Sequence, residues 1–175
     1  LSLMNIYRNK INQDIIKTSF SIIDEMHLKM EERSWNCNIK TSYNLTDNIL
    51  NIQELWNLKF EILNNIYQYM IQTGKFFDGF VKNSWVNVYE KGFYQEFHNH
   101  KDDIVKHICG VVYFTETSSA IEFGIDDRIT HQPEVGDILI FKDDDLHRVL
   151  PQQGDNKRIS LAFNYQLTAI WKGIK

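Results

Sequence analysis

The hydrophobic pattern of this chain changes its period once, near Ser84, and this change constrains the fold more than any other feature of the sequence. Upstream, apolar residues recur three and four positions apart in the segments Ile16–Met30 and Leu55–Tyr69, a spacing typical of amphipathic helices. The second segment ends shortly before Gly74, and glycine is favoured at helix C-caps. We therefore expect two helices whose apolar faces support a sheet.

Downstream of Ser84, short extended runs alternate with turn segments rich in Gly, Ser, Asp and Pro. Several short strands at such spacing are typical of a β-sandwich or a barrel. The expected strands are Trp85–Tyr89, Val105–Phe114, Ala120–Phe123, Asp137–Phe141, His147–Leu150 and Arg158–Tyr165. Helices followed by strands predict an α+β fold with a jelly-roll-like β core.

The 175 residues contain no internal repeat, low-complexity tract or domain boundary, and 43% of them are hydrophobic. This length and composition suit a single packed domain over residues 1–175. We expect helical support over about residues 5–75 and a jelly-roll core over about residues 84–167. The polar segment Ser34–Asp47 is expected to form a loop or an irregular strand.

Composition argues against several functional classes. The net charge of -4 and the lack of a basic cluster give no basis for binding a nucleic-acid backbone. No apolar run approaches the roughly 18 residues that suggest a membrane span, and Leu1–Met4 does not resemble a signal peptide. Cys37 and Cys109 lie far apart, so we expect free thiols in a reducing, cytoplasmic setting.

A candidate metal site begins with His98 and His100, which lie two positions apart. On an extended chain both side chains project from the same face. His147, from a distant strand, can complete a three-point grip on one side of a metal ion, and an open opposite side is typical of catalytic sites. Imidazole suits Fe(II), Zn, Ni and Cu, so ligand type alone does not select the metal. An isolated pair of this spacing is more often accidental, so the expectation depends on the residues downstream.

The last expected strand predicts a polar interior. Period two places Arg158, Ser160, Ala162 and Asn164 on one face and large apolar residues on the other. If the apolar face packs against the supporting helices, the polar face lines a ligand site. A dicarboxylate that chelates a metal through one end needs a cation for its other carboxylate, and Arg158 can supply it, with Ser160 as a hydroxyl donor.

The segment between His147 and Arg158 is rich in turn-forming residues, and we expect a hairpin there. Such a hairpin would place the two side chains on adjacent antiparallel strands, a few ångströms apart. The alternative for Arg158 is a surface salt bridge with one of the residues Asp143–Asp145.

A longer pattern connects these residues. Its parts are Tyr89-x-x-Gly92 ahead of His98-x-His100, the run Gly110–Phe114, Gly136-Asp137 before Phe141, then His147 and Arg158-Ile159-Ser160. The pattern resembles the 2-oxoglutarate/Fe(II)-dependent dioxygenases, in particular the prolyl-hydroxylase-like branch and a group with an HxH pair, many from marine bacteria and phages. The resemblance covers Trp85 to Tyr165. It implies a double-stranded β-helix (jelly-roll) core that N-terminal helices buttress.

The resemblance also implies a set of iron ligands. By position in the pattern, His98 matches the first ligand and His147 the distal one. His100 stands where most of the superfamily has Asp, so the implied site has three imidazoles and lacks the usual carboxylate. His100 is preferred because the HxH pair recurs in the group that this chain resembles. The alternative third ligand is Asp102 or Asp103, with Asp102 the stronger rival.

A binding site for 2-oxoglutarate is implied in the same way. Arg158 matches the residue that holds the C5 carboxylate of this co-substrate, helped by Ser160. Tyr113 matches a strand tyrosine that hydrogen-bonds the co-substrate, and Tyr89 falls near another tyrosine of that pocket. No catalytic residue beyond the metal ligands is implied.

The implied cofactor is Fe(II), and the implied partners are 2-oxoglutarate, O2 and a prime substrate that the sequence does not identify. The implied reaction is hydroxylation of that substrate with release of succinate and CO2. No nucleic-acid or membrane partner is expected, and the chain is expected to be a monomer or a homodimer.

Two alternatives stay open at the level of sequence. The segments Gly92–His100 and Pro133–His147 loosely resemble the two motifs of cupins, which are metal-binding proteins or enzymes that can use a three-histidine site. A cupin expects Glu a few residues after the HxH pair, where this chain has Ile104 and Val105. The other alternative is a non-enzymatic jelly-roll binding protein whose histidines are incidental.

Overall fold

The structure, a computed structural model, describes residues 5–26, 29–33 and 37–171. Within these residues the chain forms two α-helices, eleven β-strands and three short 3-10 helices. None of the described helices combines the length and the apolar character that crossing a membrane requires.

The two α-helices, α1 (Gln13–Met26) and α2 (Trp56–Thr73), confirm the helices expected in both segments. α2 ends at Gly74, whose φ of 66° lies in the left-handed region that glycine adopts without strain. The expected continuation of the first helix toward Met30 falls partly on residues 27–28, which lie outside the described part of the chain.

The strands are β1 (Tyr7–Lys10), β2 (Glu31–Arg33), β3 (Cys37–Thr41), β4 (Phe76–Tyr89), β5 (Tyr94–His98), β6 (His107–Tyr113), β7 (Ile121–Phe123), β8 (Ile129–His131), β9 (Asp137–Lys142), β10 (His147–Val149) and β11 (Arg158–Trp171). All six expected strands are present, as β4, β6, β7, β9, β10 and β11. β4 and β11 are longer than expected because they pair with each other along their whole lengths. The support before β4 is not purely helical, since it also contains β1, β2 and β3.

The strands form one continuous sheet that curls on itself. Its first part has the order β1-β9-β6-β11-β4, and its second part has the order β5-β10-β7-β8. β3 joins the two parts because it pairs with β4 through Lys40 and Thr41 and with β5 through Cys37 and Asn38. Side chains from both parts line a common cavity. This arrangement confirms the α+β fold with a double-stranded β-helix core.

His147 and Arg158 do not lie on adjacent strands, so the expected hairpin is wrong. β10 pairs with β5 and β7, whereas β11 pairs with β4 and β6. Residues 150–157 carry the chain from one part of the sheet to the other. A turn-rich segment between two strands has the same sequence signature in a hairpin and in such a crossing, because both satisfy the same local conformational preferences. The two side chains still line the same cavity, from different parts of the sheet.

The main hydrophobic core lies between the first part of the sheet and the two helices. Its cluster includes Ile23 of α1, Leu58 of α2 and the outward apolar face of β11. The outward residues of β11 are Ile159, Leu161, Phe163 and Tyr165. Burial of each such side chain contributes about 1.5–3 kcal/mol. The opposite face of β11 turns Arg158 and Ser160 toward the cavity, as the period-two pattern predicts.

Candidate active site

Three histidines meet at the end of the cavity. His98 closes β5 and lies directly opposite His147 of β10 in the antiparallel register, and their ring centroids are 4.2 Å apart. His100 follows just beyond β5, with its ring 5.3 Å from each of the other two. Ligand nitrogens of all three lie within 4.8 Å of one another. One metal ion can therefore contact all three imidazoles.

Backbone carbonyls orient two of these rings. The Nδ1 atom of His98 lies 2.8 Å from the Glu96 carbonyl oxygen, and the Nδ1 atom of His147 lies 2.9 Å from that of Asp145. Because a carbonyl oxygen only accepts hydrogen bonds, both Nδ1 atoms carry the proton and each Nε2 keeps its lone pair for a metal. Burial lowers the pKa of His98 and lowers that of His147 well below the usual value, so both rings are neutral at neutral pH.

His100 is held differently. Its backbone N–H donates to the Asp143 carbonyl oxygen at 2.8 Å. Its ring stacks on Trp85 at 5.9 Å and lies almost parallel to the His147 ring. Burial, together with the nearby His98 and His107, lowers the pKa of His100 to about 3. The third ring is therefore also a neutral donor, and packing sets its position.

Asp102 lies outside this group. Its Oδ1 atom accepts hydrogen bonds from the N–H groups of Ile104 at 2.8 Å and Val105 at 3.2 Å. These hydrogen bonds lower the pKa of Asp102. They also stabilise the turn that follows His100. The group of potential metal ligands found among the described residues contains His100 and not Asp102.

Arg158 is fully buried, with 1% of its surface exposed, on the wall of the same cavity. One terminal nitrogen donates to the carbonyl oxygen and the hydroxyl of Ser119 at 3.2 and 3.3 Å, and the other donates to the Tyr113 hydroxyl at 3.3 Å. Its Nε atom has no hydrogen-bond partner. No ion pair joins Arg158 to a carboxylate in the described part of the chain. Arg158 therefore does not form the alternative salt bridge with one of the residues Asp143–Asp145.

The guanidinium of Arg158 lies between two aromatic rings, those of Tyr89 and Tyr113, at 5.1 Å from each centroid. Burial raises the pKa of Tyr113 to about 12, and it raises that of Tyr89 further, so both phenols keep their protons. The Tyr89 hydroxyl donates to Gln95 at 3.0 Å. Ser160 faces Tyr113 across the β6–β11 pairing. All the residues expected at the co-substrate site thus line one inner cavity of about 90 Å³.

Three further residues of the site, Ser119, Asn87 and Gln95, are not among those predicted from the sequence. Asn87 lies on β4 between Trp85 and Tyr89, and its inward position follows from the same period-two rule that places Arg158 and Ser160. Ser119 lies in a segment whose sequence predicts only a turn. Its contact with Arg158 joins residues far apart in the chain, so no local pattern predicts that contact. Gln95 belongs to β5, in which every residue is half-buried except the exposed Glu96, so the strand has no clear alternation.

A family model described as "Putative 2OG-Fe(II) oxygenase" matches residues 117–164. This stretch contains His147, Arg158 and Ser160, whereas the HxH pair precedes it. No curated protein matches the sequence.

The chain is similar in structure to several solved proteins. A Pseudomonas putida prolyl-4-hydroxylase has a TM-score of 0.68 at 14% identity, over 96% of this chain and 95% of that chain. The collagen prolyl hydroxylase of Paramecium Bursaria Chlorella virus-1 has a TM-score of 0.62 at 12% identity, over 92% and 95%. The non-heme alpha ketoglutarate dependent carbocyclase SnoK, from nogalamycin biosynthesis, has a TM-score of 0.72 at 9% identity, over 98% and 84%. At these identities the likeness establishes the fold.

The donor set also fits the cofactor expected from the sequence. Three neutral imidazoles suit Fe(II), and a buried arginine without an anionic partner suits a dicarboxylate such as 2-oxoglutarate. The family match over residues 117–164, the double-stranded β-helix fold and the three-histidine group agree with the resemblance to the 2OG-Fe(II) oxygenases, which implies Fe(II) as cofactor and 2-oxoglutarate as co-substrate.

Proposed function

We propose that the protein is an Fe(II)- and 2-oxoglutarate-dependent dioxygenase that hydroxylates a prime substrate. The observation that carries this proposal is the position of Arg158, a buried cation without a carboxylate partner, in the same cavity as three clustered imidazoles. When bound, iron and 2-oxoglutarate supply the oxidising chemistry, in which O2 and 2-oxoglutarate become succinate, CO2 and one oxygen atom for the substrate.

His98, His100 and His147 are the proposed metal ligands. Their Nε2 atoms are the donors in His98 and His147, since Nδ1 of each ring is bound to a carbonyl. Phe123 and Phe141 pack against the His147 ring at 5.6 and 4.8 Å, and these apolar rings exclude water from that side of the site. Three neutral ligands leave the full charge of Fe(II) uncompensated by protein. A dianionic co-substrate therefore binds more favourably here than beside a site that has a carboxylate ligand.

Arg158 is the proposed clamp for the carboxylate of 2-oxoglutarate that points away from the metal. Ser119 and Tyr113 hold two of its nitrogens and so orient the guanidinium before the co-substrate arrives. Ser160 and the Tyr113 hydroxyl are the proposed neutral donors beside it, and Tyr89 flanks the guanidinium. This clamp favours an oxygenase over a cupin or a non-enzymatic jelly roll, because those alternatives give Arg158 no role.

We propose a cytoplasmic location, as expected from the sequence. Cys109 is a buried free thiol, and burial raises its pKa. Reduced thiols of this kind persist in the cytoplasm.

The test is formation of succinate from 2-oxoglutarate by the purified protein. With ascorbate as the reductant that converts the unused oxygen atom to water, we expect succinate to appear slowly without any prime substrate, and only when Fe(II), 2-oxoglutarate and O2 are all present. Protein loaded with Zn²⁺ is the control, because zinc occupies the same ligands without redox chemistry. Stoichiometric binding of Fe(II) without any O2-dependent succinate would contradict the proposal and favour the cupin or binding-protein alternatives.

A further inference from the structure

A second, outer cavity opens next to the candidate active site. Its volume is about 350 Å³, and it shares Trp85, Asn87, Gln95, His98 and His100 with the inner cavity. A molecule in the outer cavity therefore lies beside two of the proposed metal ligands while the inner cavity holds the co-substrate. This is the position that a prime substrate has to take.

Three asparagines line the wall of the outer cavity, Asn83 and Asn87 on β4 and Asn164 on β11. Asn83 lies directly opposite Asn164 in the antiparallel register. The amide oxygens of all three side chains are buried and have no hydrogen-bond partner in the part of the chain that the structure describes. Buried acceptors without donors are costly and rare. Three of them on one wall indicate that a ligand supplies the donors.

The charges around the outer cavity select against ions. Of the described residues that line it, Arg33 carries a positive charge and none carries a carboxylate. A cationic group would face Arg33 and the metal without a counter-ion. An anionic group accepts hydrogen bonds and donates none, so it would leave the amide oxygens unpaired. A hydroxyl or a carboxamide both donates and accepts, and it can satisfy either end of an asparagine amide.

We propose that the outer cavity binds an uncharged prime substrate through hydroxyl or carboxamide groups that pair with Asn83, Asn87 and Asn164. This proposal rests on the oxygenase function proposed above and adds the chemical class of its substrate. Trp85 lies between Asn83 and Asn87 on the same face of β4 and stacks on His100 at 5.9 Å. The amide wall thus anchors one end of the substrate, and the reacting carbon extends past Trp85 toward the metal.

The first experiment measures O2-dependent succinate formation by iron-loaded protein with four sets of probes at equal concentration. The sets are small sugars and polyols, simple carboxamides, alkylamines, and carboxylates with phosphomonoesters. We expect the sugars and polyols or the carboxamides to raise the rate several-fold above the substrate-free rate and to gain one oxygen atom by mass spectrometry. The ionic sets should leave the rate unchanged. The neutral set that responds distinguishes a hydroxyl from a carboxamide anchor.

Two outcomes separate this proposal from the oxygenase function. Stimulation by an ionic set, or by none of the four, overturns the uncharged substrate class, while substrate-free succinate formation still supports an oxygenase. Absence of succinate under every condition overturns both proposals.

Variants of the amide wall give the second experiment. Asn164→Leu keeps the approximate size of the side chain and removes its amide, and we expect the half-saturating concentration of the responding probe to rise about ten-fold. Asn64→Leu, on the exposed side of α2, is the matched control and should leave that concentration unchanged. Asn83→Asp adds a negative charge and should allow alkylamines to stimulate succinate formation.

The folded state is expected to tolerate these variants. In the described part of the chain neither Asn83 nor Asn164 makes a side-chain hydrogen bond, so their substitution removes no internal contact of that kind. Unchanged probe saturation in folded Asn164→Leu, together with no response of Asn83→Asp to alkylamines, would show that the amide wall does not contact the substrate.

Discussion

At the scale of single residues, the three histidines differ in how firmly their rings are held. Those of His98 and His147 each donate to a backbone carbonyl and lie opposite each other on paired strands. His100 lies beyond the end of β5, and its ring contacts Trp85 and His147 through stacking. The position of the third proposed ligand therefore depends on packing, and the positions of the other two depend on the backbone.

Trp85→Leu should weaken metal binding although Trp85 cannot coordinate a metal. Removal of a residue that orients a metal ligand costs about 10–100-fold in affinity, and the loss of the stacked ring frees His100. The measurement is titration of the metal-free protein with Co²⁺, followed by its visible absorption. Trp85→Phe keeps an aromatic ring and should retain most of the affinity. Equal affinities of the leucine and phenylalanine variants would contradict this role for Trp85.

His100→Ala and Asp102→Ala form a pair that decides the third ligand. We expect the first to lower Co²⁺ affinity by more than about 100-fold, above the range for residues that only orient a ligand. Asp102→Ala should leave the affinity within about three-fold of the wild type, because its carboxylate caps backbone N–H groups of a turn. The reverse order of affinities would assign the ligand to Asp102.

Arg158→Ala should separate co-substrate binding from metal binding. Loss of a buried charged partner costs about 2–5 kcal/mol, so the half-saturating concentration of 2-oxoglutarate should rise at least about 30-fold. Arg158→Lys keeps the charge without the planar fork and should give an intermediate value. The rate of succinate formation at increasing concentrations of 2-oxoglutarate measures its half-saturating concentration. Co²⁺ titration should show a metal affinity close to that of the wild type. An unchanged requirement for 2-oxoglutarate would remove Arg158 from the co-substrate site.

Much of the candidate site could be predicted from the sequence. The parts that could not be predicted have a physical reason. The HxH spacing and the alternation along β11 are local properties, so His98, His100, Arg158 and Ser160 could be named from the pattern. The contacts of Arg158 with Ser119 depend on the folding of distant segments onto each other, and no local pattern encodes them.

At the scale of secondary structure, periodicity identified both helices and six strands, and it failed where a strand lacks a buried face. β1 has one buried residue followed by three exposed ones, and β5 has four half-buried residues around one exposed residue and none that is buried. Such strands are defined by their backbone hydrogen bonds to neighbours. The hairpin predicted between β10 and β11 was wrong for a related reason. Local turn signals do not specify which strands pair.

One buried carboxylate links three of these strands. Asp137 at the start of β9 lies 2.9 Å from the Lys10 amine of β1 and 3.0 Å from Nε2 of His131 of β8. It also accepts a hydrogen bond from the Glu134 N–H at 2.9 Å. Burial alone would raise the pKa of Asp137, but these hydrogen bonds outweigh it and lower the pKa below the usual value.

This shift makes stability depend on pH in a defined direction. Because the folded-state pKa of Asp137 is lowered, its contribution is present above about pH 4, the unfolded value, and is lost as the pH falls through the folded value. Asp137→Asn should reduce the free energy of unfolding by about 1–3 kcal/mol at pH 7, and the difference should shrink below about pH 4. Urea unfolding of the metal-free protein at several pH values measures it.

Asp155→Asn is the control for this prediction. Asp155 also pairs with a lysine, Lys91 at 3.0 Å, but 89% of its side chain is exposed, and exposed pairs contribute little. Its substitution should therefore leave stability nearly unchanged at every pH. A constant difference between Asp137→Asn and the wild type down to low pH would show that the charge of Asp137 is not what stabilises the three strands.

At the scale of the whole molecule, the candidate active site belongs to neither part of the curled sheet alone. The second part supplies the strands that carry His98 and His147, whereas the first supplies Arg158 and Tyr113. β3 holds the two parts together by pairing with both. Composition and length predicted a single packed unit, but the strand order was needed to see that the proposed metal ligands and the proposed carboxylate clamp come from different parts of the sheet.

The pairing of β5 with β10 has a consequence for the order in which the proposed metal ligands come together during folding. During synthesis the chain presents His98 and His100 to the cell well before His147 leaves the ribosome, and β10 must then pair with β5 to bring the third imidazole alongside. Coordination of one metal ion by all three proposed ligands therefore requires that β10 has paired with β5. A nascent or partly folded chain offers only two of the three proposed ligands. We therefore expect it to bind iron more weakly than the folded protein does.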